Sequence, residues 1–277
     1  MNSHQLYIQN SNRLQTEKEF HNKVADSIFL NDLSVFENFE AATVPENKFI
    51  LKKIGNVSGK TLLDIGCGTG EASVYFAIRG AKVTAVDVSE KMLKIAKRLA
   101  LRHNASIRIL QLPVENISSL NVSFDYIYGN GILHHADLGK AAFELSKVLS
   151  NDGKAVFIEP LSYNPVIGIY RKLANGVRTP DERPLNFNDI ESFKRYFRKV
   201  EHKEFWLFSL LIFIFLFLKG LHPSKVRYWK YIIRYATKYK RLYSILSLFD
   251  RIVLKAFPCV RKFCWNTVII LEGPLNA

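Results

Sequence analysis

The segment Leu62-Leu63-Asp64-Ile65-Gly66-Cys67-Gly68-Thr69-Gly70-Glu71 constrains the fold more than any other stretch of the chain. Thr61–Ile65 predicts a buried parallel strand, because it is a short, nearly continuous apolar run bounded by glycine. Glycines at 66, 68 and 70 allow a tight turn and bring backbone amides close to a ligand. Glu71–Ala77 is compatible with a helix whose first N–H groups face that ligand. Such a strand–loop–helix unit is a cofactor cradle at the edge of an α/β layer. The spacing excludes two common ligands. A dinucleotide loop requires its third glycine three positions after the second, where this chain has Glu71. A nucleoside-triphosphate loop requires Gly-Lys-Ser/Thr, and no such triplet follows.

What remains, D-x-G-x-G-x-G, resembles motif I of the class I S-adenosylmethionine (SAM)-dependent methyltransferases. The residues downstream extend the resemblance. Ala81–Asp87 predicts a second strand ending in an acid that could accept both ribose hydroxyls of a nucleoside; the alternative is a solvated turn acid. Ser89 is placed to cap a helix carrying Met92, Ile95 and Leu99 on one face. Ile107–Gln111 is the third strand. The family usually continues with Gly-Asp-Ala, but this chain has Leu112-Pro113-Val114. Adenine recognition is therefore expected from backbone near Val114 and from apolar packing, with Glu115 either a compensating acid or a surface one. Phe124–Gly129 followed by Asn130-Gly131-Ile132-Leu133-His134-His135 resembles motif IV. Leu138–Leu149 predicts a helix, and Asn151-Asp152-Gly153 a tight turn into strand five, Lys154–Glu159.

The resemblance covers roughly residues 50 to 165, with four motifs in order. It implies an α/β fold with a doubly wound, mostly parallel, seven-stranded Rossmann-like sheet, and SAM as cofactor. The enzyme type it implies is a small-molecule methyltransferase similar to the quinone-biosynthesis group. Asp64, Gly66, Cys67, Gly68, Gly70, Asp87, Val88, Val114 and Asn130 are the implied cofactor contacts. His134 and His135 are candidate catalytic bases, or else structural histidines of the loop. Tyr163, Arg171, Arg178 and Glu182 are candidate substrate contacts past the end of strand five, or else a surface ion-pair cluster. No metal is expected: Cys259 and Cys264 lack the partners of a ligand set. Phe20–Ala25 resembles the helix that lids the cofactor in related enzymes.

Charge divides the chain unevenly. Residues 219–263 hold twelve Lys or Arg against one acid, Asp250, and so carry +11 of the formal +14. Just before them, Phe205–Leu218 is fourteen residues without a charge. That is too short for a bilayer span, which takes about 20 residues. Val226, Trp229, Ile233, Ala236, Tyr239, Leu242, Leu246, Phe249, Val253 and Ala256 recur at helical spacing, with Lys225, Arg227, Lys230, Arg234, Lys238 and Arg241 between them. This predicts an amphipathic helix or helix pair with a basic face. With the apolar run it resembles an interfacial anchor for an anionic membrane; a basic, aromatic-rich nucleic-acid face is the alternative.

Lys199–Phe205 and Trp265–Glu272 fit strands six and seven of the family, which makes the apolar and basic block a helical insertion between them. The expected organisation is N-terminal lid helices over 1–45, a SAM-binding core over 46–205, the insertion over 206–262 and a final core strand over 263–277. Met1–Glu19 is polar, so no secretory leader is expected, and three cysteines suit a reducing cytosol. The expected function is SAM-dependent methylation of a hydrophobic or lipid-linked small molecule by a cytoplasmic protein peripheral to the membrane. An RNA methyltransferase and a non-catalytic SAM-binding subunit are the alternatives. The acceptor atom is not legible.

Overall fold

The computed structural model describes residues 3–173 and 182–275, with side chains from residue 12 onward. Its centre is a seven-stranded sheet in the order β3-β2-β1-β4-β5-β7-β6. The strands are β1 (Thr61–Ile65), β2 (Lys82–Asp87), β3 (Ile107–Gln111), β4 (Phe124–Asn130), β5 (Leu149–Pro160), β6 (Phe197–Phe205) and β7 (Asn266–Pro274). The first five run parallel, and β7 inserts antiparallel between β5 and β6. Strands β1 and β2 are buried almost throughout, as strands covered on both faces must be.

Helices α1 (Ser3–Ala25), α2 (Glu37–Glu40) and α3 (Pro45–Ile54) precede the sheet; α4 (Glu71–Ile78), α5 (Glu90–Arg102) and α6 (Leu138–Val148) connect its parallel strands. Helices α7 (Pro165–Leu173) and α8 (Phe187–Ser192) follow β5, and α9 (Leu211–Leu218), α10 (Tyr228–Arg234) and α11 (Ala236–Ala256) lie between β6 and β7. One core joins the sheet to α6 and α8 through Leu63, Ile127, Leu145, Phe157 and Ile190. The other joins the opposite face to α3, α4 and α5 through Ile50, Leu62, Phe76, Leu99 and Val156. Ser89 caps α5 as its sequence position predicts, accepting the Met92 N–H at 3.2 Å.

Strand five departs from expectation. The ladder with β4 slips between Phe124↔Leu149 and Tyr126↔Lys154, and Asn151-Asp152-Gly153 lies within the strand instead of forming a separate turn. Gly153 is required there by close approach: a Cβ would stand 2.9 Å from the Asp125 carbonyl oxygen and 2.8 Å from Leu149.

The insertion has its own core. Ile167 and Tyr170 of α7 pack with Trp206, Ile212, Phe213, Leu216, Tyr228, Ile232, Tyr239 and Tyr243. The uncharged run is not one helix. It comprises the end of β6, Trp206 with φ +68°, a turn over 207–210, and the eight residues of α9. Asp250 of α11 holds that turn. Its carboxylate accepts N–H bonds from Leu207 and Ser209, at 3.3 Å each, as well as from Phe208 and the Ser209 hydroxyl. Ile212, Phe213 and Leu216 face inward, whereas Leu218 is 78 % exposed. The basic segment is a helix pair, and Val226, Tyr239, Leu242 and Leu246 of its stripe pack in this core. The helix breaks at Tyr235, which resets its phase, and the face turned to the core is Tyr228, Ile232, Tyr239, Tyr243 and Asp250. Phe249, on the apolar stripe, is 53 % exposed. Among the described residues no helix is long and apolar enough to cross a membrane.

The insertion's position, which the sequence left open, is over the carboxyl ends of the strands. Helix α10 packs on α2, Thr43 donates to the Ile232 carbonyl at 3.4 Å, and Arg234 pairs with Asp32 at 2.8 Å. Helix α1 closes the other side, where Asn22 accepts from the Ser89 hydroxyl at 2.7 Å and Asp26 pairs with Lys91.

Candidate active site

Between these two covers lies a cavity of about 480 Å³. Its floor is the glycine loop. Gly66 has φ +62°, and a Cβ there would come within 2.8 Å of Ile132. Gly68, at φ +52°, faces open space, with nothing within 4 Å of the point where a Cβ would stand. Asp87 at the tip of β2 ties this loop down: one carboxylate oxygen accepts the Gly68 N–H and the other the Ser89 N–H, both at 2.8 Å. Burial raises the Asp87 pKa, while these backbone donors oppose the rise. Asp64, also buried, accepts from Ser73, and burial pushes its pKa up to about 7. Burial and the two acids push the Cys67 thiol upward, which keeps it protonated and unreactive.

Of the residues expected to touch cofactor, the cavity wall includes Asp64, Gly66, Cys67, Gly68, Asp87, Val88, Val114 and Asn130. Gly70 is not among them. With φ +79°, its missing Cβ leaves room for Ala96, which would otherwise lie 2.6 Å away, so this glycine packs α4 against α5. Glu115 is neither a bare surface acid nor a free one: it pairs with Arg13 of α1 and accepts the Asp137 N–H at 3.1 Å.

His134 and His135 both line the cavity, in different electrostatic settings. His134 Nδ1 lies 2.7 Å from Glu159 Oε2, and its Nε2 lies 3.3 Å from Glu182 Oε1. Burial alone would lower its pKa. The two carboxylates outweigh burial and bring it to about 9, so the ring is an imidazolium at neutral pH. His135 Nδ1 faces Glu17 of α1 at 2.9 Å, and Glu17 also meets His21 at 3.3 Å. Arg171 joins Glu182 at 3.7 Å. Tyr163 stands apart: it is partly exposed, its ring lies against Phe187, and it does not line the cavity. Arg178 lies outside the described residues.

Two acids in this region carried no sequence signal. Glu159 is fully buried and accepts N–H bonds from Ile132 and Leu133 at 3.0 and 2.8 Å as well as facing His134. Glu46 sits in the first turn of α3, where an acid ordinarily does no more than complement the helix dipole. Here it is buried on the cavity wall and accepts from Asn266 at 2.8 Å. The wall around it is aromatic, formed by Trp206, Trp265 and Tyr170, and Arg227, Trp229 and Lys230 line the roof.

Sheet order, glycine cradle and β2 acid are those of a class I SAM-dependent methyltransferase domain, and the residues present fit SAM as its cofactor: an acid at the tip of β2, an open glycine loop and an apolar Val88–Val114 wall. Residues 62–153 match the family model described as a methyltransferase domain. Over 118 residues the chain is 32 % identical to a ubiquinone biosynthesis O-methyltransferase of Bordetella parapertussis, covering 42 % of this chain and 49 % of that protein. The protein of the same name from Nitrosomonas europaea is 32 % identical over 123 residues, covering 44 % and 52 %. The chain thus spans about half the length of the curated relatives it matches. A solved geranyl diphosphate C-methyltransferase of Streptomyces coelicolor A3(2) shares the fold, with a TM-score of 0.53 and 16 % identity over 82 % of this chain and 74 % of that one.

Proposed function

We propose that this protein transfers the SAM methyl group to a hydroxyl of a hydrophobic or lipid-linked small molecule at a membrane face. The observation that carries the reading is the insertion. The layer that roofs the cavity also turns Leu211, Ile214, Phe217 and Leu218 of α9, and Ile245, Leu248, Phe249 and Ile252 of α11, toward solvent. Isolated exposed apolar residues are ordinary, but eight of them on two helices that pack together, within a segment rich in Lys and Arg, suit an anionic bilayer. A nucleic-acid face would use the same cations and leaves this apolar set without a role. The relatives are named O-methyltransferases, which favours oxygen as acceptor.

Catalysis on this reading is mostly alignment. SAM supplies an activated methyl group, and the cradle fixes its position while the two covers exclude water. His134, already protonated, holds the loop after β4 through Glu159 and places positive charge beside the cavity. The test is mass spectrometry of lipid extracts from cells with and without the gene. Loss of one lipid, with gain of a species lighter by one methylene, is the expected result. Unchanged lipids alongside loss of a methyl mark on RNA would favour the nucleic-acid alternative.

A further inference from the structure

We infer that Glu46 is the proton acceptor of the reaction and that the acceptor is an aromatic hydroxyl held against Trp206, Trp265 and Tyr170. The inference rests on the methyl-transfer reading above and adds to it the residue and the substrate class.

The argument begins with position. Asn266, which donates to Glu46 at 2.8 Å, opens β7 and pairs with Pro160, the last residue of β5, on one side and with Phe205 on the other. Glu46 therefore lies over the tips of β5 and β7. Asp87 and the glycine loop lie at β2 and β1, across the cavity floor. The carboxylate belongs to the acceptor side. Trp206 and Trp265 meet there edge to face at 5.9 Å, a surface suited to a flat ring.

Most of the other titratable groups on the wall have partners of their own, Glu182 among them with His134 and Arg171. Asp64 and Asp87 belong to the cradle, and Glu71 holds Ser34 and Asn38 of the α2 region. Glu115 pairs with Arg13, and His135 and His21 share Glu17. His134 already carries its proton. Glu46 has neutral partners, the Asn266 amide and the Trp206 side chain. Burial raises its pKa to about 7 against the pull of those two donors, so it can take a proton and release it near neutrality. The groups that face it are Tyr128 from β4 and Tyr243 from α11, with Arg171, Arg227 and Lys230 around the cavity.

The step balances without another reagent. The hydroxyl O–H bond breaks and its proton passes to the Glu46 carboxylate. The oxygen pair forms a bond to the methyl carbon as the carbon–sulfur bond of SAM breaks, and the sulfur keeps that electron pair. The products are the aryl methyl ether, S-adenosylhomocysteine and a protonated Glu46 that then returns its proton to solvent.

The experiment compares wild type with Glu46→Gln, using catechol as the phenol because its hydroxyl keeps its proton at neutral pH and so needs an acceptor for it, with the methylated product measured by mass spectrometry. Calorimetry with S-adenosylhomocysteine comes first. Binding by both proteins shows that the cradle is intact; no binding by wild type overturns the methyltransferase reading itself. With the cradle intact, wild type is expected to bind the phenol and methylate it with a rate that rises through a pH near 7. Glu46→Gln should bind the phenol within about threefold of wild type, lose roughly 100-fold or more in kcat and show no such rise. Glu46→Asp, which restores a carboxylate, should recover part of the rate. Equal kcat and pH profiles in wild type and Glu46→Gln overturn the assignment, and so does a wild type that binds S-adenosylhomocysteine but neither binds nor methylates the phenol.

Discussion

His134 Nδ1 lies 2.7 Å from a Glu159 oxygen that is wholly removed from solvent. This pairing makes the loop after β4 sensitive to pH. The folded-state pKa of His134, about 9, stands above its ordinary value of 6.5. The stabilisation it provides is therefore complete below about pH 6.5 and lost as pH rises through about 9, with a magnitude of roughly 3 kcal/mol. Urea unfolding between pH 6 and 10 should show this decline in wild type and a flatter curve in His134→Gln. Glu159→Gln should cost about 3–5 kcal/mol at neutral pH, since it strands a buried cation. Parallel curves for wild type and His134→Gln would show that the ring carries no such charge.

Two glycines of one loop should fail in different ways. Gly68→Val puts a branched side chain into the space beside the cofactor, at φ +52°, and should abolish S-adenosylhomocysteine binding in calorimetry. Gly70→Ala drives a methyl group to within 2.6 Å of Ala96 on α5 and should lower stability by about 1–3 kcal/mol. If Gly70→Ala kept its melting temperature and lost only the ligand, Gly70 would be a cofactor contact after all.

Asp87→Ala removes the acceptor for the Gly68 and Ser89 amides as well as the acid expected to meet ribose. Affinity for S-adenosylhomocysteine should fall tenfold or more, because charge-assisted bonds contribute about 1.5–3 kcal/mol each. Unlike a pure ligand contact, this change should also destabilise the empty protein. A mutant with full thermal stability and weak binding would mean that the loop holds its shape without Asp87.

How far the chain could be read from its residues follows from the physics of each part. The boundaries of β1 and β3 and the Ser89 cap are local: apolar runs, glycines and a cap residue decide them within a few positions. So the cradle was legible. Gly70 and Gly153 were harder, since what they avoid is remote in sequence, Ala96 and the Asp125 carbonyl. The settings of Glu46 and Glu159 depend on Asn266 and His134, which only the folded sheet brings near. In the insertion the spacing gives a helix or helix pair but not which stripe residues are covered, since that depends on the break at Tyr235: Tyr239 is buried and Phe249 is exposed.

Asp250 is the lone acid of the basic block and is buried beneath the turn that opens α9. Asp250→Ala should free three backbone N–H groups and the Ser209 hydroxyl at once. Limited proteolysis should then cut near residues 207–210 well before the sheet core is touched, with a stability loss of about 2–4 kcal/mol. Protection equal to that of wild type would mean that α9 is held by its apolar face alone.

The membrane reading makes two demands that a single flotation assay can separate. The cations around the insertion should draw the protein to anionic vesicles, at about 1 kcal/mol for each Lys or Arg near the surface. That part should fade as salt rises, because exposed charges are screened over about 8–10 Å. The apolar residues should leave a remainder that salt does not remove. Leu218→Glu with Phe249→Glu tests that remainder, since both side chains point to solvent and neither lines the cavity. The double variant should float with anionic vesicles at low salt, sink at high salt, and bind S-adenosylhomocysteine as wild type does. Wild type that stays with the soluble fraction on both anionic and neutral vesicles, yet retards RNA in a gel, would assign the basic face to nucleic acid. It would also leave the exposed face of α9 and α11 to some contact other than lipid.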